Sequence, residues 1–348
     1  MTLSDEEIKN SLNRYGTVFL PGEIREDVED IIGYEDKKER LEDFFSSFRK
    51  YGQLVEKLKE AKFTLGLTIL LYGPPGTGKT TLTRAMAKKY GIPVCVVEAD
   101  RLVSPLLGDT LKNIRKVVEA ASDVARENGA FVLFFDEIDA IASERSSMHE
   151  MGEIKRAVIS FLQIIDKVSY EGLPLAIFGA TNHQDSLDSA VWRRFTFHLK
   201  FEFPNYRVRA EIIENFLDKV RLTKIGTDQG ILEKIKREIR FLEEAIDSIE
   251  EDLEEGELLE RAWREVRNHG EEGLLYLTRG YTGADIERGF KVALFKALQT
   301  DLMTFNDLMK ALKLVGGTES HVQRQHRLAL DRVTPPESAE DISGPVDL

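Results

Sequence analysis

Gly73-Pro74-Pro75-Gly76-Thr77-Gly78-Lys79-Thr80 decides how the rest of the chain is read. The segment follows an apolar run at 67–72 and opens the helical stretch TLTRAMAKKY. Closely spaced glycines let successive backbone N–H groups close on phosphate oxygens, and a helix N-terminus behind them adds its dipole. In the G-x-x-x-x-G-K-[ST] pattern the lysine reaches the outer phosphates and the hydroxyl ligates Mg²⁺; here these are Lys79 and Thr80. Residues 73–80, with Thr81 behind them, are the expected nucleotide-binding set. A chance glycine-rich turn is the bland alternative, and it does not explain a strand before and a helix after.

Two further apolar runs end in polar residues. Phe-Val-Leu-Phe-Phe at 131–135 runs straight into Asp136 and Glu137. Two carboxylates at the mouth of an apolar strand are costly unless a cation or substrate needs them. Asp136 is expected to hold Mg²⁺, directly or through water, and Glu137 to take a proton from the attacking water. A solvated acidic cap is the competing reading. The run at 175–178 leads into Gly179-Ala180-Thr181-Asn182, where the Asn182 amide can orient a lytic water; alone this is weak, because Asn is also a turn residue.

Short buried runs at 67–72, 94–97, 131–135, 175–178 and 197–201 alternate with helical segments, including one up to Tyr51 and a short one over 53–62. That alternation predicts a parallel sheet covered on both faces, with ligands at the carboxyl ends of its strands. The expectation is α/β: a doubly wound parallel sheet over 28–203, then a helical lid domain over 204–316. Residues 1–27 are polar and weakly patterned, and read as an N-terminal extension. The stretch 317–348, with its TPPESAEDISGP, reads as a flexible C-terminal tail.

Residues 228–270 stand apart. Leu232, Ile235, Ile239, Leu242, Ile246, Ile249 and Leu253 recur three and four apart among charges, a heptad seam. Leu259, Ala262, Trp263 and Val266 give a shorter apolar face afterwards. The pattern predicts a coiled-coil-like helical hairpin projecting from the lid, with its turn at Glu255-Gly256-Glu257. A long amphipathic helix packed along the lid is the alternative.

Of 348 residues 42% are apolar, enough for a substantial core and, as a soft prior, two domains. A net charge of −13 argues against nucleic acid as a partner. Cys95, inside VCVV, reads as a small buried hydrophobe. With one cysteine no disulfide forms within the chain, which fits a reducing compartment. MTLSDEEIKN has no signal-peptide character, and every apolar run falls far short of the ~20 residues that span a bilayer. A cytoplasmic protein without a membrane span is expected.

With three further segments, these motifs resemble the AAA+ superfamily, and in detail its classical AAA clade. Asp30-Ile31-Ile32-Gly33-Tyr34-Glu35 is similar to the clade's adenine-pocket segment, which places Ile32 and Gly33 at the nucleotide. Ala180-Thr181-Asn182 with Leu187-Asp188-Ser189-Ala190-Val191-Trp192-Arg193-Arg194-Phe195 resembles its second region of homology. The lack of an Arg-Pro-Gly insertion before Arg-Phe is nearest the spastin and katanin type. Gly280-Tyr281-Thr282-Gly283-Ala284-Asp285-Ile286 resembles the lid motif over the base, putting Gly283 and Ala284 against the nucleotide. The resemblance implies that Asn182 is the sensor-1 residue. It also implies that Arg193 and Arg194 are arginine fingers completing a neighbour's site, and that ATP and Mg²⁺ are used by a homo-oligomer, a ring or a helical assembly, with a hexamer expected. Such a finger contributes ~10³–10⁵ in rate. Adjacent guanidiniums suit spread phosphate charge, although a bare Arg-Arg pair is more often ordinary surface charge.

There are departures. The clade's pore loop carries Lys-aromatic-Val-Gly; the matching stretch here is Ser104-Pro105-Leu106-Leu107-Gly108. Leu106 and Leu107 are the expected pore-loop residues, an apolar grip without aromatic stacking. Ala284 stands where other clades place a sensor-2 arginine. The clade's large N-terminal substrate domain has no counterpart, no H-E-x-x-H occurs, and the chain lacks a hydrophobic-Tyr-x ending. The expected function is an ATP-hydrolysing mechanoenzyme that remodels, disassembles or unfolds a protein partner. The alternative is a nucleotide-driven oligomeric switch recruiting an effector protein through the 228–270 hairpin. A DNA-directed motor is disfavoured by the charge.

Overall fold

The computed structural model describes residues 3–319 apart from 64, 103–108, 140–150, 250–252 and 269–272. The apolar runs become strands of a 6-stranded sheet: β1 (Gly16–Phe19), β2 (Thr68–Tyr72), β3 (Val94–Val97), β4 (Phe131–Phe135), β5 (Leu175–Thr181) and β6 (Phe197–Lys200). Their order across the sheet is β1-β3-β4-β5-β2-β6, and only β1 runs antiparallel to its neighbour. Side chains alternate between the two faces of a strand, and here both faces are apolar. Phe131, Leu133 and Phe135 join one core with Cys95 and Ile177, while Val132 and Phe134 join the other with Val94 and Phe178. Helices α1 (Asp5–Leu12), α5 (Asp109–Asn128) and α6 (Met151–Glu171) supply the first core. Helices α2 (Glu35–Glu60) and α3 (Lys79–Lys89) supply the second; α4 (Ala99–Leu102) is a short turn between. This is the doubly wound sheet that the alternating runs predict.

Two expectations need correction here. The segment 1–27, expected as an extension ahead of the α/β domain, is part of that domain over its described residues. A capping box between Ser4 and Glu7 starts α1, and Ile8, Leu12, Tyr15 and Val18 are buried in the first core. β1 extends the sheet by pairing Gly16 with Val97 through Phe19 with Val94. A four-residue edge strand carries too little periodicity to be read locally; its register is set by β3. Likewise, the helices expected on either side of Gly52 are one continuous α2. A single glycine costs only ~1 kcal/mol in a helix. Tyr51 on one side is buried, and Val55 and Leu58 on the other pack against the same core.

After a short α7 (Ser189–Trp192) and β6, the chain becomes helical. The lid comprises α8 (Tyr206–Leu222), α9 (Gly230–Ser248), α10 (Glu255–Asn268), α11 (Leu274–Leu277), α12 (Gly283–Thr300) and α13 (Phe305–Val315). A small ladder, β7 (Gly226–Thr227) with β8 (Leu302–Met303), joins its ends. The insertion is a hairpin of α9 and α10, but it packs against the lid body rather than projecting from it. Ile231, Ile235, Leu242, Ala262 and Trp263 are buried in one cluster with Ile213, Leu217, Leu275, Ile286 and Phe290. α9 ends at Ser248 and α10 begins at Glu255, so Gly256 sits inside the first turn of α10 rather than at a bend. Residues 317–319 also belong to the lid: the Thr318 N–H donates to Asp285 Oδ2 and the Glu319 N–H to the Gly280 carbonyl. The rest of the expected tail lies outside the described residues. No helix among the described residues is long and apolar enough to cross a membrane.

Candidate active site

The sheet order brings the motifs together. β5 lies between β4 and β2, pairing Gly179 with Phe135 and Thr181 with Tyr72. The strand ends bearing Asp136, Asn182 and the phosphate loop therefore stand side by side. β5 runs three residues beyond the expected 178, because Gly179, Ala180 and Thr181 are all paired with β2. The Gly73 N–H donates to the Thr181 carbonyl at 3.2 Å, fixing the loop's first residue beside Asn182.

In the loop, Gly73, Gly76 and Gly78 all take positive φ, and Gly78 is the N-cap of α3. Thr77 is buried and its hydroxyl donates to the Pro74 carbonyl at 2.8 Å, while Pro75 and Gly76 are exposed. Lys79, 6% exposed, donates from Nζ to the carbonyls of Gly73 and Pro74 and to Asn182 Oδ1, each at 2.8 Å. Burial pushes its ammonium down to about 8, against the opposing pull of the Asp136 and Asp139 carboxylates. Thr80 Oγ1 donates to Asp136 Oδ2 at 3.3 Å, a pair of hard oxygens of the kind that Mg²⁺ takes alongside phosphate and water. Among the described residues no cluster of three or more His, Cys, Asp or Glu could hold a metal by itself. Thr81, half-buried, follows on α3.

Glu137 turns out of the strand with φ 51, uncommon for a residue with a side chain, and is exposed. Its N–H donates to Asp136 Oδ1 at 3.1 Å. Sequence reasoning missed Asp139, whose Oδ1 accepts the Thr181 hydroxyl at 2.7 Å and ties the end of β5 to the segment after β4. The His183 N–H in turn donates to that hydroxyl at 3.0 Å, which holds the backbone on either side of Asn182. The only signal for it was a third acid closely following Asp136 and Glu137.

The lid closes on the loop. Thr282 caps α12 through a reciprocal capping box with buried Asp285. The Ala284 N–H donates to the Gly76 carbonyl at 3.4 Å. A Cβ on Gly76 would lie 2.7 Å from Thr282 Oγ1 and 3.0 Å from Ala284 Cβ, so the approach needs glycine there. Gly76, Gly283 and Ala284 are thus neighbours. Burial acts to raise the Asp285 carboxyl, but hydrogen bonds from Thr282 and Thr318 outweigh it and hold the group below its ordinary value. Ile32 packs against the lid cluster and Gly33 lies on Val208, which places both at the junction of sheet and lid.

Arg193 and Arg194 are exposed. Arg194 pairs with Asp166 at 2.9 Å, and among the described residues no ion pair engages Arg193. Their stretch is anchored by Trp192, set edge-on against Tyr72 with its carbonyl 2.9 Å from His198 Nε2. Leu106 and Leu107 lie outside the described residues.

Residues 69–203 match the model of the AAA domain, the ATPase family associated with various cellular activities. The chain carries an AAA domain. A probable spastin homologue of Brugia malayi is 31% identical over 231 residues, 65% of this chain and 48% of that protein. A putative 26S proteasome regulatory subunit homologue of Methanocaldococcus jannaschii is 30% identical over 210 residues, 60% of this chain and 53% of that one. The chain spans about half of the length of each of these two relatives. The crystal structure of the FIGL-1 AAA domain in complex with ADP superposes with TM-score 0.58 at 23% identity, covering 95% of this chain and 98% of that one. At that identity the likeness speaks for the fold.

Proposed function

We propose that this chain binds ATP with Mg²⁺ and hydrolyses it, and that it acts as a homo-oligomer, a hexameric ring or a helical assembly, to remodel, disassemble or unfold a protein partner. One observation carries the reading: Lys79 on the phosphate loop reaches Asn182, while Thr80 beside it reaches Asp136. In this reading Lys79 and the loop N–H groups hold the outer phosphates. Thr80 and Asp136 would hold Mg²⁺, which would supply positive charge to offset that of the phosphates. Asn182 orients a water against the γ-phosphorus; as its bond to phosphorus forms, the bond to the ADP oxygen breaks and Glu137 takes the proton. Ala284, Gly283, Ile32 and Gly33 flank the nucleoside side.

The exposure of Arg193 and Arg194 on an anchored turn supports a role in a neighbouring subunit's site. The AAA-domain relatives support the general class. Phosphate release from ATP by the wild-type chain and by Glu137→Gln tests the chemistry: the variant should retain nucleotide while turnover falls ~10²-fold or more. Near-normal turnover in Glu137→Gln would remove Glu137 as the base. Stimulation by an unfolded protein supports remodelling. Unchanged turnover, with nucleotide-dependent capture of a folded partner, would favour the switch.

A further inference from the structure

Two charged side chains are buried in the lid away from the nucleotide residues. Arg209, in α8, is 5% exposed, and Glu238, in the insertion helix α9, is 9% exposed. Burying a charge is costly unless hydrogen bonds replace its water. For both, the replacement centres on α11. Glu238 accepts the Leu275 N–H at 3.0 Å and the Tyr276 N–H at 2.7 Å. It serves as the cap of a helix whose own N-cap residue, Gly273, has no side chain to offer. A Cβ on Gly273 would lie 2.1 Å from Glu238 Cδ, so the close approach depends on glycine. From the other side, Arg209 donates through Nη2 to the Leu275 carbonyl at 3.1 Å and through Nη1 to the Pro204 carbonyl at 2.8 Å. Leu275 is gripped at its N–H from the insertion and at its C=O from α8.

The clamp is connected at both ends to the candidate site. Pro204 closes the segment between sheet and lid, a segment whose Phe201 N–H donates to the carbonyl of Tyr72 at the end of β2 at 2.7 Å. On the other side, α11 leads into the turn that presents Thr282 and Ala284 to Gly76. A second, exposed tie runs beside it: Arg207 Nη2 lies 2.7 Å from Glu243 Oε1, again linking the start of α8 to α9.

We propose that Glu238 is a positioning residue for nucleotide binding. By clamping α11 between the insertion and Arg209 at the Pro204 joint, it makes the insertion set how the lid meets the phosphate loop. This rests on the nucleotide-binding reading above. The insertion then acts as a built-in regulatory input: whatever shifts α9 shifts the Ala284–Gly76 contact.

The test uses the full chain and Glu238→Gln, whose amide puts an NH₂ donor where one of the two accepting oxygens stood. Affinity for a fluorescent ADP analogue, KM and kcat for ATP, and amide hydrogen exchange without nucleotide are measured against wild type. KM and the ADP dissociation constant should rise about tenfold with kcat within about twofold, since the clamp positions the lid but touches no reacting atom. Exchange should quicken at 274–277 and also across 282–284 and the phosphate loop. A purely structural role predicts lower folded fraction with unchanged affinity in what remains. Affinity within about twofold of wild type, with faster exchange confined to 274–277, would overturn the proposal. Should Glu238→Gln not fold, Arg209→Lys carries the same expectation, because lysine keeps the charge but lacks the rigid fork whose Nη1 and Nη2 each hold one of the two carbonyls. Failure of the nucleotide reading would look different, as no ADP binding by the wild-type chain.

Discussion

Leu242 and Phe241 are adjacent on α9, yet only one of them belongs to the lid core. Leu242 is fully buried and Phe241 is 50% exposed. Leu242→Ala removes three buried carbon groups at ~0.8 kcal/mol each, about 2.4 kcal/mol of transfer free energy. The cavity left in this buried cluster brings the expected loss to ~3–5 kcal/mol. Phe241→Ala, at a half-exposed site, should cost under ~1 kcal/mol. Urea unfolding followed by fluorescence suits the comparison, because Trp263 is itself buried in this cluster, edge-on to Tyr276. A thermal midpoint lowered by at least ~10 °C in Leu242→Ala is the parallel expectation for a domain of this size. The contrast tests whether Leu242 is packed in the lid cluster while its neighbour Phe241 is not. Equal and small losses in the two variants would refute the packing described above.

Three more expectations follow from the site and the core. Lys79 has a folded pKa near 8, lowered by burial, so its charge is present below that pH and lost above it. ADP-analogue affinity should weaken from pH 7 to pH 9.5, log Kd approaching a slope of about one above pH 8, whereas Lys79→Ala should bind weakly with no such step. If Arg193 and Arg194 act on a neighbour's γ-phosphate, an Arg193→Ala/Arg194→Ala subunit mixed with a Lys79→Ala subunit should recover activity that neither has alone; no recovery at any mixing ratio would argue for a self-sufficient monomer. Leu12→Ala should cost ~2–5 kcal/mol in equilibrium unfolding despite lying near the chain start, because Leu12 is fully buried in the first core; a loss below ~1 kcal/mol would mean that α1 is dispensable.

The phosphate loop, the Asp136-Glu137 pair and Asn182 were legible because each directly follows a run whose side chains are buried on both faces, and such runs announce themselves in any window of five residues. The sheet's two-sided core is written in the same runs. Asp139 was not legible, since its partner Thr181 lies on another strand and only the β4–β5 pairing brings them to 2.7 Å. Nor was the place of α1 and β1, whose pattern is too short to stand out and whose pairing is chosen by the open edge of β3. The insertion shows the division most plainly. Its heptad spacing establishes that one face of α9 must be covered, because leaving several Leu and Ile side chains wet is unfavourable at ~25 cal/mol per Å². Spacing is silent about what covers them. The tertiary structure assigns that surface to the lid body, with Glu238 buried against α11 in a polar contact that a seam of apolar residues could not foretell. Periodicity is a property of one element, whereas burial of a charge depends on which backbone donors another element brings within 3 Å of it.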